Sequence, residues 1–352
     1  MCPTSHFARL VRKGAMEGLS PKISIITPVF NPGDLLSGCL ASLEGQTIFS
    51  LMEVVLVDDG STDGSGELCD RYAERHANVK VFHQPNRGQA AARNVAIDAA
   101  SGDYVLLVDS DDAISSDACE RLLAAAEESG ADVVWGDYAG ASLFKGEVAK
   151  LAGQGLVPMD RYLRCALHEG LFVITPCVQL VRTSFLREHG VAFREGRIFE
   201  DQLWLLELML ARPTMLRLDF AFYTYNICDH PSSTTVVTAK RLMDAIDVIY
   251  AMIDATERAQ PDDEVREVAE AFIANSIFVL AHTFICHAPA EVQRLVLLRV
   301  DERYARYARK TQLLPKIART LGPSLAAGQE EFEEELRRYR EARAAQLATR
   351  AQ

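Results

Sequence analysis

Three carboxylates stand together at the end of an apolar stretch of the sequence. Residues 104–114 read YVLLVDSDDAI, so that Asp109, Asp111 and Asp112 follow five apolar or aromatic residues. Like charges this close repel one another and raise each other's pKa, which makes such a cluster costly at the end of a buried strand. A divalent cation would offset the repulsion, and carboxylate oxygens are ligands that Mg²⁺ and Mn²⁺ prefer. The cluster therefore predicts a cation site.

A second acidic pair ends another apolar stretch. Asp58 and Asp59 follow EVVLV, and short stretches of the same kind, rich in β-branched residues, begin at residues 23, 79 and 104. These four stretches are nearly apolar throughout and alternate with three helical patterns, so they predict an α/β fold with a mainly parallel sheet flanked by helices. Ligands bind outside the carboxyl ends of strands in such sheets. We therefore expect both acidic groups to face one crevice.

Composition narrows the class of protein. The chain has 352 residues, 49% of them hydrophobic, which suffices for one large domain with an appendage or for two domains. Its net charge of -12 argues against nucleic acid as a partner, because proteins that bind the phosphate backbone need a basic surface. The eight cysteines are scattered without a CxxC pair, as expected of reduced thiols in the cytoplasm. Residues 1–22 lack the apolar run of a secretory signal.

Two other ligand-binding patterns are weak. An EF-hand calcium loop needs an entering helix, whereas EVVLV before Asp59 predicts a strand. A dinucleotide-binding fold would carry GxGxxG after the first strand, where TPVFNPGDLL has a single glycine. The interpretation that remains is a nucleotide whose diphosphate is neutralised by a metal held on carboxylates.

Several motifs in chain order, from about Lys22 to Thr235, resemble those of one enzyme family. They are ISIITPVFN, VVLVDDGSTDGS, NRGQAAARNVAIDAASGDYVLLVDSDD and REGRIFEDQLW. Together they are similar to the motifs of the inverting nucleotide-sugar glycosyltransferases of the large bacterial family 2. The resemblance implies a GT-A fold, which is Rossmann-like, and metal-dependent transfer of a sugar from a nucleoside diphosphate, expected to be UDP.

The resemblance also implies a binding site for the nucleoside of the donor. Thr27, Pro28 and Phe30 would line the base pocket, and Asp59 would accept the N3 hydrogen of a uracil ring. The structural alternative is that Asp58 and Asp59 cap the GSTDGS turn that follows them.

The same resemblance assigns the acidic cluster and the NRGQAAARN motif. Asp109 would contact the ribose or the metal, and Asp111 would bind Mg²⁺ or Mn²⁺, while Asp112 orients the loop or caps the next helix. Gly88 would allow close approach of the backbone to the donor. Arg93 would contact a phosphate or the sugar, or else pair with the acidic loops.

The catalytic base is expected in IFEDQLW. By resemblance, Asp201 takes the proton from the acceptor hydroxyl, with Glu200 as its neighbour. The competing interpretation is a helix N-terminus, where acidic residues before LWLLELML stabilise the helix dipole. The family often carries an arginine after FYTYN, but this chain has Asn226 there, followed by His230 and SSTT.

The C-terminal third is predicted to be a helical extension. We expect an N-terminal segment at 1–21, a GT-A domain at 22–238 and a helical region at 239–352. Residues 291–319 contain eight Lys/Arg against three Asp/Glu. This basic stretch is compatible either with a solvated helical face or with peripheral contact to an anionic membrane, where a lipid-linked acceptor would lie.

The sequence thus predicts a cytoplasmic glycosyltransferase of the hexosyltransferase type. It would act on a glycan or lipid-linked acceptor in cell-surface polysaccharide or glycolipid assembly, with a place at the inner face of the plasma membrane as a further expectation. The alternatives are a nucleotide-sugar-binding protein without turnover and a nucleotidyltransferase, although the latter would need a basic glycine-rich loop near the N-terminus.

Overall fold

The computed structural model describes residues 20–139, 146–171, 175–226, 238–283, 299–310 and 314. Contacts divide the chain into two compact units. The first lies within residues 1–162, 174–196 and 211–228, and the second within 163–173, 197–210 and 229–352. The aspartates of both acidic groups therefore belong to the first unit, whereas Glu200 and Asp201 belong to the second.

Four parallel strands form one half of the sheet in the first unit. They are β1 (Ile23–Val29), β2 (Met52–Asp58), β3 (Val79–His83) and β4 (Tyr104–Leu107), in the order β3-β2-β1-β4. The connecting helices are α1 (Leu35–Glu44), α2 (Ser65–Arg75) and α3 (Gln89–Ala99). Every residue of β1, β2 and β4 is buried, as is typical of strands covered on both faces. The predicted parallel α/β arrangement is confirmed for this half.

The other half of the sheet is mixed. Its strands are β5 (Ala113–Ile114), β6 (Val133–Tyr138), β7 (Leu156–Pro158), β8 (Gln179–Arg182) and β9 (Thr214–Thr224). Strand β8 runs antiparallel between β4 and β6, and β9 runs parallel to β6 and antiparallel to β5 and β7. The helices of this region are α4 (Ala118–Ser129), α5 (Gly146–Leu151), α6 (Met159–His168) and α7 (Thr183–His189). Along much of β9, buried residues alternate with more exposed ones, which is the pattern of a strand covered on one face.

The strand register brings the two acidic groups to one edge of the sheet. β1 lies between β2 and β4, and its last residue, Val29, is paired with Asp58. On the other side of β1, Ile26 is paired with Leu107, and the chain continues from there to Asp109. Both acidic groups therefore lie at the carboxyl edge of the parallel strands, at the ends of β2 and β4, with β1 between them.

The described part of the second unit is helical. Its helices include α8 (Glu200–Leu210), α9 (Ala239–Ala259), α10 (Asp263–Thr283) and α11 (Glu302–Ala308). Thr238 caps α9 by accepting a hydrogen bond from the backbone of Arg241, and Asp301 caps α11 in the same way through Tyr304. The predicted helical C-terminal region is therefore present. None of the described helices combines the length and the apolar composition needed to cross a bilayer.

Part of the basic stretch 291–319 is described, at residues 299–310 and 314. All five basic side chains of the described residues 299–310 pair with carboxylates of the second unit. The pairs are Arg299 with Asp247, Arg303 with Asp254 and Glu257, Arg306 with Glu257, Arg309 with Glu302, and Lys310 with Glu270. The positive charge of this part is thus balanced within the unit.

Candidate active site

Asp59 anchors the loop that leads into α3. Its Oδ1 accepts hydrogen bonds from Gln84 Nε2 at 2.7 Å and from the backbone N–H of Arg87 at 2.8 Å, and its Oδ2 accepts one from the backbone N–H of Gly88 at 2.8 Å. The residue is only 2% exposed. An ionised carboxylate offers about four acceptor positions, so three internal donors leave room for about one more hydrogen bond.

Gly88 is required for its backbone conformation. Its φ is +90° and its ψ is 160°, a region that is essentially restricted to glycine. A Cβ built at this position would meet no atom within 4 Å, so lack of space is not the reason for glycine. This conformation directs the Gly88 N–H at Asp59 and starts α3 at Gln89.

Asp58 makes the turn-capping contact that the sequence left as an alternative. Its Oδ1 accepts a hydrogen bond from the backbone N–H of Ser61 at 2.9 Å. His83 lies between two carboxylates, with Nδ1 3.0 Å from Asp58 Oδ2 and Nε2 3.0 Å from Asp70 Oδ1. Burial opposes ionisation of Asp58, but the hydrogen bonds from Ser61 and His83 outweigh burial and lower its pKa. The carboxylates beside His83 raise the pKa of its imidazole.

The three residues expected to line the base pocket differ in exposure. Thr27 is 0% exposed and Pro28 is also buried, both within β1, whereas Phe30 is 50% exposed just beyond the end of that strand. The next residue, Asn31, has a φ of +50° and accepts a hydrogen bond from the backbone N–H of Thr62 at 2.7 Å. The loop after β1 is thereby tied to the loop after β2, and Phe30 is the member of the three that solvent reaches.

Asp109 is paired with a buried arginine. Arg93 Nη2 lies 3.0 Å from Asp109 Oδ1, and the Arg93 side chain is 1% exposed whereas that of Asp109 is 24% exposed. Gln89 Nε2 donates to the same oxygen at 3.0 Å, and Cys177 Sγ lies 3.6 Å from Asp109 Oδ2. The guanidinium of Arg93 stacks over Phe193, with its Cζ 5.0 Å from the ring centroid. Arg93 therefore makes the pairing with the acidic loop that was its alternative role.

The pKa values of Asp111 and Asp112 are both raised, mainly by burial. Burial first, and the charge of Asp109 second, raise the pKa of Asp111. Burial raises the pKa of Asp112 to about 7, although hydrogen bonds from Asn226 and Tyr223 lower it in part. Asp112 is 1% exposed and Asp111 is less buried, and the burial of Asp112 favours its predicted role of orienting the loop.

Two residues of this site were missed by the sequence reasoning or given no role. Tyr223 donates its hydroxyl to Asp112 Oδ2 at 2.7 Å, and Asn226 donates its backbone N–H to Asp112 Oδ1 at 2.9 Å. The signal was the FYTYN stretch, in which alternation along a strand directs Tyr223 to one face. His230 and the Ser/Thr-rich residues after it lie outside the described residues.

A divalent cation fits the donor set of the acidic loop. Asp109 and Asp111 offer carboxylate oxygens, and burial together with the charge of Asp109 raises the pKa of Asp111, so a cation nearby would favour its ionised form. Among the described residues, no group of three or more His, Cys, Asp or Glu side chains is arranged to hold a metal by itself. Mg²⁺ commonly binds one or two carboxylates together with the phosphates of a substrate. The residues present therefore suit a cation whose remaining ligands come from a bound nucleotide.

Glu200 and Asp201 begin α8 in the second unit. Glu200 is buried and Asp201 is half-buried, and both lie in the first turn, where acidic side chains favour the helix dipole. Phe199, immediately before them, has a φ of +69°. For a bulky residue this conformation costs on the order of 1–3 kcal/mol, and such costs cluster at functional sites. The geometry at this helix start is compatible with both roles given to Asp201.

Comparisons with known proteins identify the family. A sequence profile for "Glycosyl transferase family 2" matches residues 24–190. The glycosyltransferase GlyG of Streptococcus pneumoniae is 33% identical over 219 residues, which are 59% of this chain and 71% of GlyG.

The chain belongs to glycosyl transferase family 2.

This family 2 glycosyltransferase has further relatives. The poly(ribitol-phosphate) beta-glucosyltransferase of Bacillus spizizenii is 34% identical over 212 residues, which are 57% of this chain and 32% of that protein. The crystal structure of S. aureus TarS 1-349 in complex with UDP-GlcNAc aligns with a TM-score of 0.72 at 24% identity, over 91% of this chain and 92% of that one. The likeness to TarS shows the fold, and the expected GT-A architecture is confirmed.

The family match covers only part of the candidate site. Asp59, Gly88, Arg93, Asp109 and Asp111 lie inside residues 24–190. Glu200 and Asp201 lie beyond that range. The profile therefore covers the acidic groups of the first unit and leaves the roles of the individual residues as predictions.

Proposed function

We propose that this glycosyltransferase moves a hexosyl group from a UDP-sugar to an acceptor hydroxyl with inversion, and that a divalent cation binds together with the donor. The observation that carries the proposal is the acidic loop at the carboxyl end of β4. There Asp111 has a raised pKa beside Asp109, and Asp59 ends the strand that lies beyond β1 in the same sheet.

Recognition of the nucleoside is assigned to the edge formed by β1 and β2. Asp59 keeps about one acceptor position, which suits the imide N–H of uracil. Phe30 is the exposed ring next to this edge and would cover the base. The TarS complex with UDP-GlcNAc supports uridine as the nucleoside, because that neighbour shares the fold.

The diphosphate is assigned to the acidic loop. Asp111 and Asp109 would hold Mn²⁺ or Mg²⁺, and the bound cation neutralises the charge of the leaving diphosphate. Arg93 fixes Asp109 through the 3.0 Å pair with Oδ1, and we assign Oδ2, which lies 3.6 Å from Cys177 Sγ, to the cation or the ribose. Loss of Arg93 would thus disturb donor binding through Asp109.

Inversion requires a base that deprotonates the acceptor hydroxyl as it attacks the anomeric carbon from the side opposite the diphosphate. We assign this role to Asp201. A helix N-terminus lowers a carboxyl pKa, whereas a second carboxylate raises it. Glu200 is the neighbouring carboxylate in the first turn and is 7% exposed.

The acceptor is proposed to be a glycan or a lipid-linked saccharide of the cell surface. The Bacillus relative named as a poly(ribitol-phosphate) beta-glucosyltransferase supports this class of polymer. We place the reaction in the cytoplasm, at the inner face of the plasma membrane where the acceptor is lipid-linked. Internal pairing of the described basic residues at 299–310 supports a solvated face there rather than membrane contact.

Vesicle flotation tests the membrane alternative for residues 291–319. Because the described part of this stretch is internally paired, we expect the intact protein to stay with the soluble fraction in the presence of phosphatidylglycerol vesicles. Flotation that weakens with added salt would contradict this expectation and would assign a membrane role to the stretch.

A screen of nucleotide sugars tests the proposed function. UDP-sugars are incubated with saccharide acceptors in Mn²⁺ or EDTA, UDP release is measured, and the anomeric configuration of the product is read by NMR. We expect turnover that EDTA abolishes and an inverted linkage. Asp201→Asn should lose transfer while keeping UDP affinity. UDP-sugar binding without turnover, or pyrophosphate release from a nucleoside triphosphate and a sugar phosphate, would contradict the proposal.

A further inference from the structure

We propose that Tyr223 and Asn226, at the end of β9, are positioning residues that hold the acidic loop 109–112 in the form that receives the metal-bound diphosphate. This inference rests on the proposed function. It assigns roles to two side chains that touch the loop from another part of the chain.

Tyr223 bridges the two ends of the loop. Its hydroxyl accepts a hydrogen bond from the backbone N–H of Asp109 at 3.1 Å and donates one to Asp112 Oδ2 at 2.7 Å. The residue is 1% exposed, so these hydrogen bonds form away from bulk water. One buried oxygen thus fixes the first and the last residue of the loop relative to each other.

Asn226 holds the middle and the end of the loop. Its side-chain Nδ2 donates to the backbone oxygen of Asp111 at 2.6 Å, and its backbone N–H donates to Asp112 Oδ1 at 2.9 Å. With the two bonds of Tyr223, four hydrogen bonds join the loop to the end of β9. Asp109 and Asp111 keep their carboxylates out of this set, and these are the side chains proposed to meet the cation.

The strand pairing around the loop supports the same role. Directly after the loop, β5 pairs with β9, with Ala113 opposite Thr224 and Ile114 opposite Tyr223. The backbone N–H of Ser115 also donates to the oxygen of Phe222 at 2.8 Å. The loop therefore connects β4 to a strand that pairs with β9. Contacts with the end of β9 hold both the loop and the residues directly after it.

Asn226 can hold the acidic loop in position without neutralising its negative charge. An arginine at this position would add a positive charge beside Asp111 and Asp112. An amide donates the same kind of hydrogen bond without a charge. The amide therefore fixes the conformation of the loop without adding positive charge, and the negative charge of the loop still favours a bound cation. Groups around a metal site commonly orient its ligands in this way.

Two variants and two matched controls test the inference. Tyr223→Phe removes the bridging oxygen, and Asn226→Ala removes the amide that holds Asp111. Tyr72→Phe removes another buried tyrosine hydroxyl, which donates to the backbone oxygen of Leu40, and Asn78→Ala removes an amide that donates to the backbone oxygens of Phe49 and Met52. Calorimetry gives the affinity for UDP in Mn²⁺ and in EDTA, and melting curves report stability.

The readout is the ratio of UDP affinity with Mn²⁺ to that in EDTA. We expect each loop variant to lower this ratio about tenfold, since loss of a group that orients a metal ligand costs about 10- to 100-fold. Both controls should keep the wild-type ratio even where they lower the melting temperature. Should Tyr223→Phe fail to fold, Asn226→Ala decides the question.

Two results would overturn the inference, and they are distinguishable. A wild-type ratio in both loop variants means that β9 does not position the metal ligands, while the proposed function stands. A wild-type protein that binds UDP equally in Mn²⁺ and in EDTA removes the metal site itself, and the proposed function loses its cation.

Discussion

Glu53, at the amino end of the parallel strands, and the acidic loop 109–112, at their carboxyl end, differ in how the charge of their carboxylates is compensated. At the amino end, Glu53 is 4% exposed and accepts hydrogen bonds from Ser24, Ser101 and the backbone of Gly102, and Lys80 Nζ lies 2.7 Å from its Oε2. Burial opposes ionisation of Glu53, but these partners outweigh it and lower the pKa. At the carboxyl end, burial and the charge of Asp109 raise the pKa of Asp111.

The difference separates structural from functional charge. Glu53 has its donors and its counter-ion within the protein, so its charge stabilises the fold as built. The carboxylates of Asp109, Asp111 and Asp112 crowd one loop, and the buried Arg93 pairs with the first of them. A cluster of acids with incomplete compensation is costly unless a ligand supplies positive charge. The carboxyl edge is therefore the edge that we expect to respond to metal and nucleotide.

The largest effect is expected for Asp111→Asn. The change removes a proposed metal ligand, so kcat/KM for sugar transfer should fall about 100-fold. The melting temperature of the ligand-free protein should stay the same or rise, because one of three like charges is gone. Transfer assays and melting curves measure the two quantities. Wild-type activity in this variant would contradict its metal role.

The matching isosteric change at the other edge is Glu53→Gln. It breaks the pair with Lys80 and turns an amide N–H₂ toward groups that donate to Glu53, so the free energy of unfolding should fall by about 2 kcal/mol. Activity at 25 °C should stay within about twofold, as for a stability change away from the site. Urea unfolding gives the stability. A variant that is fully stable would show that the network around Glu53 does not stabilise the fold.

A smaller effect is expected for Gly88→Ala. The φ of +90° is strained for any side chain, which costs about 1 kcal/mol, although there is room for the methyl group. Because the Gly88 N–H holds Asp59, UDP affinity should also weaken, by about threefold as an order of magnitude. Gly64→Ala is a control at another positive φ, +91°, also with open space around it. Equal UDP affinity in both variants would show that the conformation of Gly88 does not contribute to nucleoside binding.

The smallest effect concerns pH and His83. Its folded pKa is raised above the ordinary value, so the bridge between Asp58 and Asp70 stabilises the fold below about pH 6.5 and is lost as pH rises through the raised pKa. Since His83 is 48% exposed, solvent screening limits this contribution to less than about 1 kcal/mol. His83→Gln should flatten stability between pH 6 and 8. An unchanged pH profile would show that the contacts of His83 with Asp58 and Asp70 do not contribute to the free energy of unfolding.

Parts of this account follow from sequence for clear physical reasons. Strands buried on both faces carry continuous apolar runs, which is why β1, β2 and β4 could be predicted. The aspartates at the end of β2 and after β4 then marked one edge of the sheet. Strand β8, with QLVR, is too short to show a period, and its insertion between β4 and β6 depends on tertiary pairing.

The site shows the same limit in its polar contacts. Asp58 and Asp59 are adjacent in sequence, and only the structure separates the turn contact of the first from the loop contacts of the second. The bond between Tyr223 and Asp112 joins residues 111 positions apart in the chain. No local pattern encodes such a contact, so sequence alone could not reveal how the acidic loop is held.

The central claim is that the carboxyl edge holds a cation against a nucleotide diphosphate. Calorimetric titration of UDP into the protein, in Mn²⁺ and in EDTA, tests this most directly. We predict binding at least about tenfold tighter in Mn²⁺, and loss of this gain in Asp111→Asn but not in Glu53→Gln. Equal UDP affinity with and without metal in the wild-type protein, or an undiminished gain in Asp111→Asn, would contradict the account.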